Sequence, residues 1–255
     1  LAVVSIDHGL RPEAAEEIAA VAALCARLGL AHHGVQWRGW AGRGNLQDAA
    51  RRARAGLIAD WARAQGIGAV ALGHTVDDQA ETLLMRLARG AGVEGLSAMA
   101  PARRAGGVLW LRPFLGLTRA ELRAFLQARG LSWADDPSNE DTRFQRVRAR
   151  QALAALAPVG LEPAGLAQVA AHLGAARAAL AHHACATARE IAQEHAGAVF
   201  YERAAFLDLP DETARRLIAA ALRVIAGPGY APRGAALGRA LAALREGQRA
   251  HTLQG

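Results

Sequence analysis

Lysine does not occur in this 255-residue chain; all 30 of its basic residues are arginine. No lysine-dependent phosphate loop, Schiff-base lysine or lysine general base can therefore operate from within it. Cysteine is nearly absent as well, with Cys25 and Cys185 far apart in helix-like surroundings. Two such residues exclude a disulfide scaffold and any multi-cysteine zinc or iron–sulfur centre. Both are expected to be buried as small hydrophobes. No apolar run approaches the roughly 20 residues of a membrane span, and the opening residues lack a signal-peptide pattern. A cytoplasmic setting with no membrane partner is the expectation. Residue 1 is Leu, inside an apparent strand, so the polypeptide is expected to begin within a domain.

Apolar residues make up 52% of the chain, much of it alanine, enough for a packed core and a mainly helical second half. The formal charge of +7 rests on guanidinium groups, which suit bidentate phosphate recognition and so a polyanionic partner. Apolar runs at 1–7, 31–37 and 68–73 read as strands. Helical stretches at 13–28, 46–65 and 77–89 follow them, the first two closed by Gly29 and Gly66. That alternation indicates βαβ units and a parallel sheet. Further on, 109–115 reads as an edge strand, because Pro113 removes a ladder donor. Thr118 and Glu121 form a capping-box signature for a helix ending at Gly130, and 143–156 returns to helix. A long Ala-rich connector at 161–194 precedes a small module built from 199–209, 212–225 and 235–245.

The most informative segment is Gly73-His74-Thr75-Val76-Asp77-Asp78-Gln79-Ala80-Glu81-Thr82. It leaves a buried strand and opens a helix, where open α/β sheets bind ligands. Asp78 and Glu81 share a helix face, and with Asp77 and His74 they would gather negative charge able to hold Mg²⁺ or an ammonium group. Thr75 and Asp78 also suit helix capping. Asp7-His8-Gly9-Leu10-Arg11 ends another strand, as a simple turn or as a ligand contact. A third set comprises Arg112, the polar loop Asp135-Asp136-Pro137-Ser138-Asn139, and Arg143, Arg146, Arg148 and Arg150. Arg143, Arg146 and Arg150 fall on one helix face by three-and-four spacing, to meet phosphate or solvent, and Arg86 and Arg89 invite the same two readings. Trp37, Trp61, Trp110 and Trp133 sit beside apolar positions and are expected in the core.

In order, DHGLRPEA, GNLQDAARRAR, GHTVDDQAETLLMRLARGAGVEGLSAM, LRPFL and WADDPSNEDTRFQRVRAR resemble the tRNA(Ile)-lysidine synthetase family over residues 1–156. The resemblance implies an α/β, Rossmann-like parallel sheet of the N-type ATP pyrophosphatases, a helical linker and a small C-terminal module, divided as 1–157, 158–195 and 196–255. It implies a ligase using ATP and Mg²⁺ to join free L-lysine to carbon 2 of the wobble cytidine of tRNA(Ile) with a CAU anticodon. A homodimer is admitted. Carried over by motif, Asp78, Glu81 and Arg146 are catalytic, and Asp7, His8, Arg11, Gly73 and His74 face the nucleotide. Arg86, Arg89, Arg112, Asp136, Asn139, Arg143 and Arg150 face lysine or tRNA, and Asp77 and Asp78 are the metal candidates. The family's Ser-Gly-Gly-x-Asp-Ser phosphate loop occurs nowhere in the 255 residues. Its strand, expected in the middle of the sheet, would precede Leu1. The C-terminal module is likewise expected to be cut short after Gly255, and this polypeptide alone is expected neither to bind ATP tightly nor to form lysidine. A tRNA-thiolating pyrophosphatase fits less well for want of cysteine pairs, NAD or GMP synthetases lack the 135–150 pattern, and a non-catalytic RNA-binding remnant is the remaining alternative.

Overall fold

The computed structural model describes residues 1–9, 14–37, 46–135, 140–227 and 234–247, with backbone only at 46–48. The chain divides into two compact units, residues 1–91 with 98–170, and 92–97 with 171–255. In the first unit the order is β1 (Ala2–Asp7), α1 (Ala14–Arg27), β2 (Ala31–Gln36), α2 (Leu46–Ala64), β3 (Ala69–Ala71) and α3 (Val76–Leu87). After the short α4 (Val93–Leu96) come β4 (Ala102–Ala105), β5 (Val108–Leu111), α5 (Arg119–Ala128) and α6 (Gln145–Leu156). The long α7 (Pro163–Ile191) crosses the boundary between the units. Then follow β6 (Ala192–His195), β7 (Ala198–Tyr201), α8 (Arg203–Leu207), α9 (Asp211–Ala226) and α10 (Gly234–Arg245).

The strands of the first unit form two sheets rather than one. β1 and β2 pair in parallel, from Ala2 opposite Ala31 to Asp7 opposite Gln36. β3 pairs in parallel with β5, and β4 runs antiparallel on β5's other side. One helix serves both sheets. Ile58, Ala59 and Ala62 of α2 bury against Val70, Val108 and Trp110, while Val4 and Ile6 of β1 pack onto the same cluster.

The 109–115 strand was expected at an edge, but β5 lies in the centre of its sheet. It ends at Leu111, so Pro113 never enters the ladder, and the Arg112 N–H instead donates to the Pro101 carbonyl at 2.8 Å. The partner β4, Ala-Arg-Arg-Ala, carries no apolar alternation and was not anticipated. Its hairpin turns through Gly106 and Gly107 at φ of 60° and 79°, the two positive values that a type I′ turn demands.

The second unit packs Ala184, Phe206, Ala214, Leu217 and Leu241 into one core. Tyr201 stacks on Phe206 at 5.2 Å and donates its hydroxyl to the Leu217 carbonyl at 2.9 Å. The 92–97 segment counts with this unit, since Arg216 of α9 pairs with Glu94 at 2.6 Å and with Glu212 at 2.9 Å. The expected run 199–209 resolves into β7 and α8, and β6 was missed because its residues, Ala-Gln-Glu-His, have no apolar face. Cys25 is buried as expected, whereas Cys185 is exposed on α7. Among the described residues no single helix is long and apolar enough to cross a membrane.

The β6–β7 turn offers a direct test. Ala196 and Gly197 take φ of 50° and 76°, and a left-handed alanine costs about 1–2 kcal/mol. Asparagine tolerates that region and favours type I′ turns. Ala196→Asn is therefore expected to stabilise the fold by about 1 kcal/mol. Differential scanning calorimetry would show a higher melting temperature; an unchanged or lower one would contradict the turn assignment.

Candidate active site

The site is built around the start of α3, at the carboxyl end of β3. Leu72 extends β3 by donating its N–H to the Leu111 carbonyl at 2.9 Å, and Gly73 and His74 lead into the cap. Thr75 is the N-cap. Its N–H and hydroxyl both donate to Asp78 Oδ2 at 2.9 Å, and the Asp78 N–H returns to the Thr75 hydroxyl at 3.4 Å. The capping read in the sequence thus occupies one carboxylate oxygen of Asp78. Asp77 does the same for another helix, its Oδ2 accepting the N–H of Arg119 at 2.7 Å where α5 begins. Burial alone would push the Asp78 carboxyl upward. The two Thr75 hydrogen bonds, then Arg146 and Arg119, outweigh it and hold the group below its ordinary 3.8.

Glu81, one turn further along α3, is only 1% exposed. An isolated carboxylate at such depth would be prohibitively costly, and three guanidiniums surround it. Arg119 reaches Oε1 at 3.3 Å, Arg150 reaches Oε1 at 3.0 Å, and Arg146 Nε lies 3.2 Å from Oε2. The Arg146 contact has ion-pair distance without hydrogen-bond geometry, and neither atom has another partner among the described residues. A second nitrogen of Arg146 lies 3.9 Å from Asp78 Oδ1. The negative cluster expected here is consequently a neutralised node that joins α3, α5 and α6. Glu81 is enclosed by cations rather than presented to a ligand.

Other predicted residues divide between this node and its supports. Arg86 donates to the Ala98 carbonyl at 3.3 Å, and Gln79 clamps Met99 through both its amide nitrogen and oxygen, at 2.9 and 2.8 Å. These bonds hold Ala98 at a φ of 46°, unusual for a residue with a Cβ. Arg89 is exposed and bonds Gln145. Arg143 was expected on a helix face with Arg146 and Arg150, but α6 begins only at Gln145. Arg143 points away, 84% exposed and paired with Asp141 at 2.7 Å. Asp7 is absorbed by a turn, its Oδ1 accepting the Gly9 N–H at 2.7 Å. Trp133 is 39% exposed with Arg123 over its ring, so it is not a core residue. Arg11, Asp136 and Asn139 lie outside the described residues. Among the described residues no group of three His, Cys, Asp or Glu side chains could hold a metal, and Asp77 and Asp78 each spend an oxygen on capping.

A cavity of about 300 Å³ adjoins the cap. Arg51, Arg54, Arg103, Arg112 and His74 line it over a floor that includes Trp110. Arg112 donates to the Ala100 carbonyl at 2.7 Å, and its buried Nε has no partner among the described residues. Burial, then repulsion from Arg103 and Arg51, lowers the pKa of Arg112. Arg54 keeps substantial surface exposure, yet desolvation first, then Arg51 and Arg146, lowers its pKa too. Desolvation dominates at His74 and His8, lowering both, and each buries an Nδ1 without a partner among the described residues. Arg119 and the lining residues Arg51, Arg54 and Arg103 were not singled out in the sequence. Only the Thr118–Glu121 box and the GNLQDAARRAR segment hinted at them.

The PP-loop domain family matches residues 1–157. A tRNA(Ile)-lysidine synthase of Ruegeria pomeroyi is 54% identical over 96% of this chain and 58% of its own length. Its counterpart in a Methylobacterium species is 48% identical over 88% of the chain and 65% of that protein. One from Novosphingobium aromaticivorans is 43% identical over 96% and 74%. The chain thus spans under two thirds of the first two relatives. Among solved structures, the U34-tRNA thiolase NcsA from Methanococcus maripaludis with its [4Fe-4S] cluster is similar in fold. Its TM-score is 0.55 at 14% identity, covering 67% of this chain and 59% of that one.

Removing the buried carboxylate should leave three guanidiniums facing one another. Glu81→Ala is expected to cost about 3–5 kcal/mol in urea denaturation; a loss under about 1 kcal/mol would show that the node does not stabilise the fold. The histidines give a pH signature. With the folded-state pKa of His74 below 6.5, the unfolded chain binds the proton first. Stability therefore declines as pH falls from about 6.5 toward the folded value, and Asp78 adds its own loss only as pH falls below 3.8. His74→Asn should make the decline between pH 7 and 5 shallower; an unchanged slope would contradict the assignment.

Proposed function

The chain belongs to the tRNA(Ile)-lysidine synthase family of PP-loop proteins, and from that premise we propose that, joined to a Ser-Gly-Gly-x-Asp-Ser phosphate loop, it forms lysidine in tRNA(Ile) at the expense of ATP. In this reaction the cytosine oxygen bonds to the ATP α-phosphorus and pyrophosphate leaves. The ε-amine of free lysine then bonds to carbon 2, AMP departs with the oxygen, and the amine gives up a proton. The observation that carries the reading is the Thr75–Asp78 cap at the carboxyl end of β3, set over Glu81 and Arg146. Open α/β sheets bind their ligands at such a position.

The local geometry suggests a division of labour. A carboxylate whose pKa is held down is a weak base, so Asp78 orients the lysine ammonium rather than taking its proton. Arg146, 38% exposed, offsets charge at the reacting nucleotide. Glu81 fixes that guanidinium in place, with Arg119 and Arg150 completing the neutralisation. The Nδ1 atoms of His8 and His74, without a partner among the described residues, suit a polar ligand at the ends of β1 and β3, and ATP held there supplies the adenylyl group. Mg²⁺ would accompany the phosphates, as that strongly hydrated ion usually does. Exposed Arg89 and Arg143 face tRNA in this reading, where phosphate contacts make binding salt-dependent.

The test compares this chain with the same chain preceded by a strand ending in Ser-Gly-Gly-x-Asp-Ser. Mass spectrometry of digested tRNA(Ile) should detect lysidine with the second polypeptide, ATP and lysine; its absence would overturn the reading. In that polypeptide Arg146→Ala is expected to slow the reaction by about 10²-fold while tRNA binding is retained.

A further inference from the structure

Gln79 lies on α3 between Asp78 and Glu81, yet it is neutral and stands outside the ion-pair node. The residue is 9% exposed, and an apolar side chain would fill the same volume without a cost in desolvation. Its amide is spent on a single backbone position. Nε2 donates to the Met99 carbonyl at 2.9 Å, and Oε1 accepts the Met99 N–H at 2.8 Å. Residues 98–101 belong to no helix or strand, so the buried backbone at Ala98 and Met99 needs side-chain partners. Two arginines supply the others. Arg86 donates to the Ala98 carbonyl at 3.3 Å. Arg112 donates its guanidinium to the Ala100 carbonyl at 2.7 Å and its N–H to the Pro101 carbonyl at 2.8 Å. Ala98 takes a φ of 46°, a left-handed bend that an alanine keeps only while its surroundings impose it. The segment is therefore a strained bridge, pinned to α3 at one end and carrying the Arg112 guanidinium at the other. A buried, bonded amide adds little net stability over an apolar contact; what it fixes is geometry.

We propose that Gln79 is a positioning residue: through Met99 it sets the Ala100 carbonyl, and through that carbonyl it holds the Arg112 guanidinium in register with Asp78 and Arg146. Gln79 and Asp78 are neighbours on one turn of α3, so the acid and the guanidinium keep a fixed relation to each other. Without the amide the bend at Ala98 relaxes, and the acceptor that anchors Arg112 shifts with it. This role rests on the ligation reading, in which Arg112 faces lysine or tRNA and Asp78 orients the lysine ammonium. Gln79 itself touches no reacting atom.

The first measurement needs no turnover. In the full 255-residue chain the Arg112 Nε–H gives a nitrogen–proton NMR signal, identified as the one lost in Arg112→Ala. Gln79→Met is expected to move that signal into the crowded region of freely rotating arginines, at a temperature where circular dichroism shows the variant folded. Gln79→Glu, ionised, keeps the acceptor for the Met99 N–H and loses only the donor. It serves if Gln79→Met does not fold, and should move the signal part of the way. An Arg112 signal that stays in place in the folded variant overturns the proposal. The second measurement uses the chain preceded by the strand ending in Ser-Gly-Gly-x-Asp-Ser. There Gln79→Met is expected to slow lysidine formation about tenfold. Added to Arg112→Ala, it should change that variant's rate less than about twofold. A purely structural role would multiply the two losses, and multiplied losses also overturn the proposal. If the loop-bearing chain forms no lysidine at all, the ligation reading fails, while the Arg112 signal still decides whether Gln79 holds the guanidinium.

Discussion

One buried carboxylate sets the terms for the first unit. Glu81 lies at 1% exposure on α3, and Arg119, Arg146 and Arg150 close around it from α5 and α6. Helices remote in sequence are thereby held at fixed distances, and the side chains they carry inherit that order. Such an arrangement gains little over an apolar contact of the same volume. Its consequence is specificity, because losing any member strands the others in a poor solvent. Arg146 feels this most directly, pinned on one side by Glu81 and lying 3.9 Å from Asp78 on the other.

Capping gives the node its frame. Thr75 with Asp78 opens α3, Thr118 with Glu121 opens α5, and Asp77 ties the start of α5 to α3 through the Arg119 N–H. Each bond satisfies a helix-terminal donor that would otherwise lack a partner. The same acids that look like a ligand cluster in one dimension are therefore largely consumed by backbone. What remains for a ligand is the second oxygen of Asp78, the exposed part of Arg146 and the cavity lined by arginine. The site is electropositive overall, the reverse of what the run of Asp and Glu residues suggests.

The absence of lysine shapes this balance. Guanidinium keeps its charge where an ammonium would lose its proton, so burial and mutual repulsion lower the pKa of Arg54 and Arg112 without discharging them. A planar donor fork can also divide its contacts, as Arg112 does between the Ala100 carbonyl and the cavity. With no lysine present, a cationic side chain in this protein is an arginine or a protonated histidine.

Much of the organisation is legible in local sequence. The βαβ alternation, the helix after Gly73, both capping boxes and the burial of Trp110 follow from periodicity and from side chains acting on their own backbone. Those interactions span three or four residues, so sequence spacing describes them well. The strands β4 and β6 were not legible, because Ala-Arg-Arg-Ala and Ala-Gln-Glu-His have no apolar face and pair only through a turn whose backbone carries the signal. Nor could spacing show that Arg119 and Arg150, 38 and 69 residues from Glu81, end on the same oxygen, or that Arg143 leaves the helix face it was assigned to. The sequence by itself determined which residues carry charge and how α3 and α5 begin. Only the tertiary structure decided which charges meet, because a carboxylate's partners are selected by depth of burial and by the packing of distant helices, and neither is written into any local pattern.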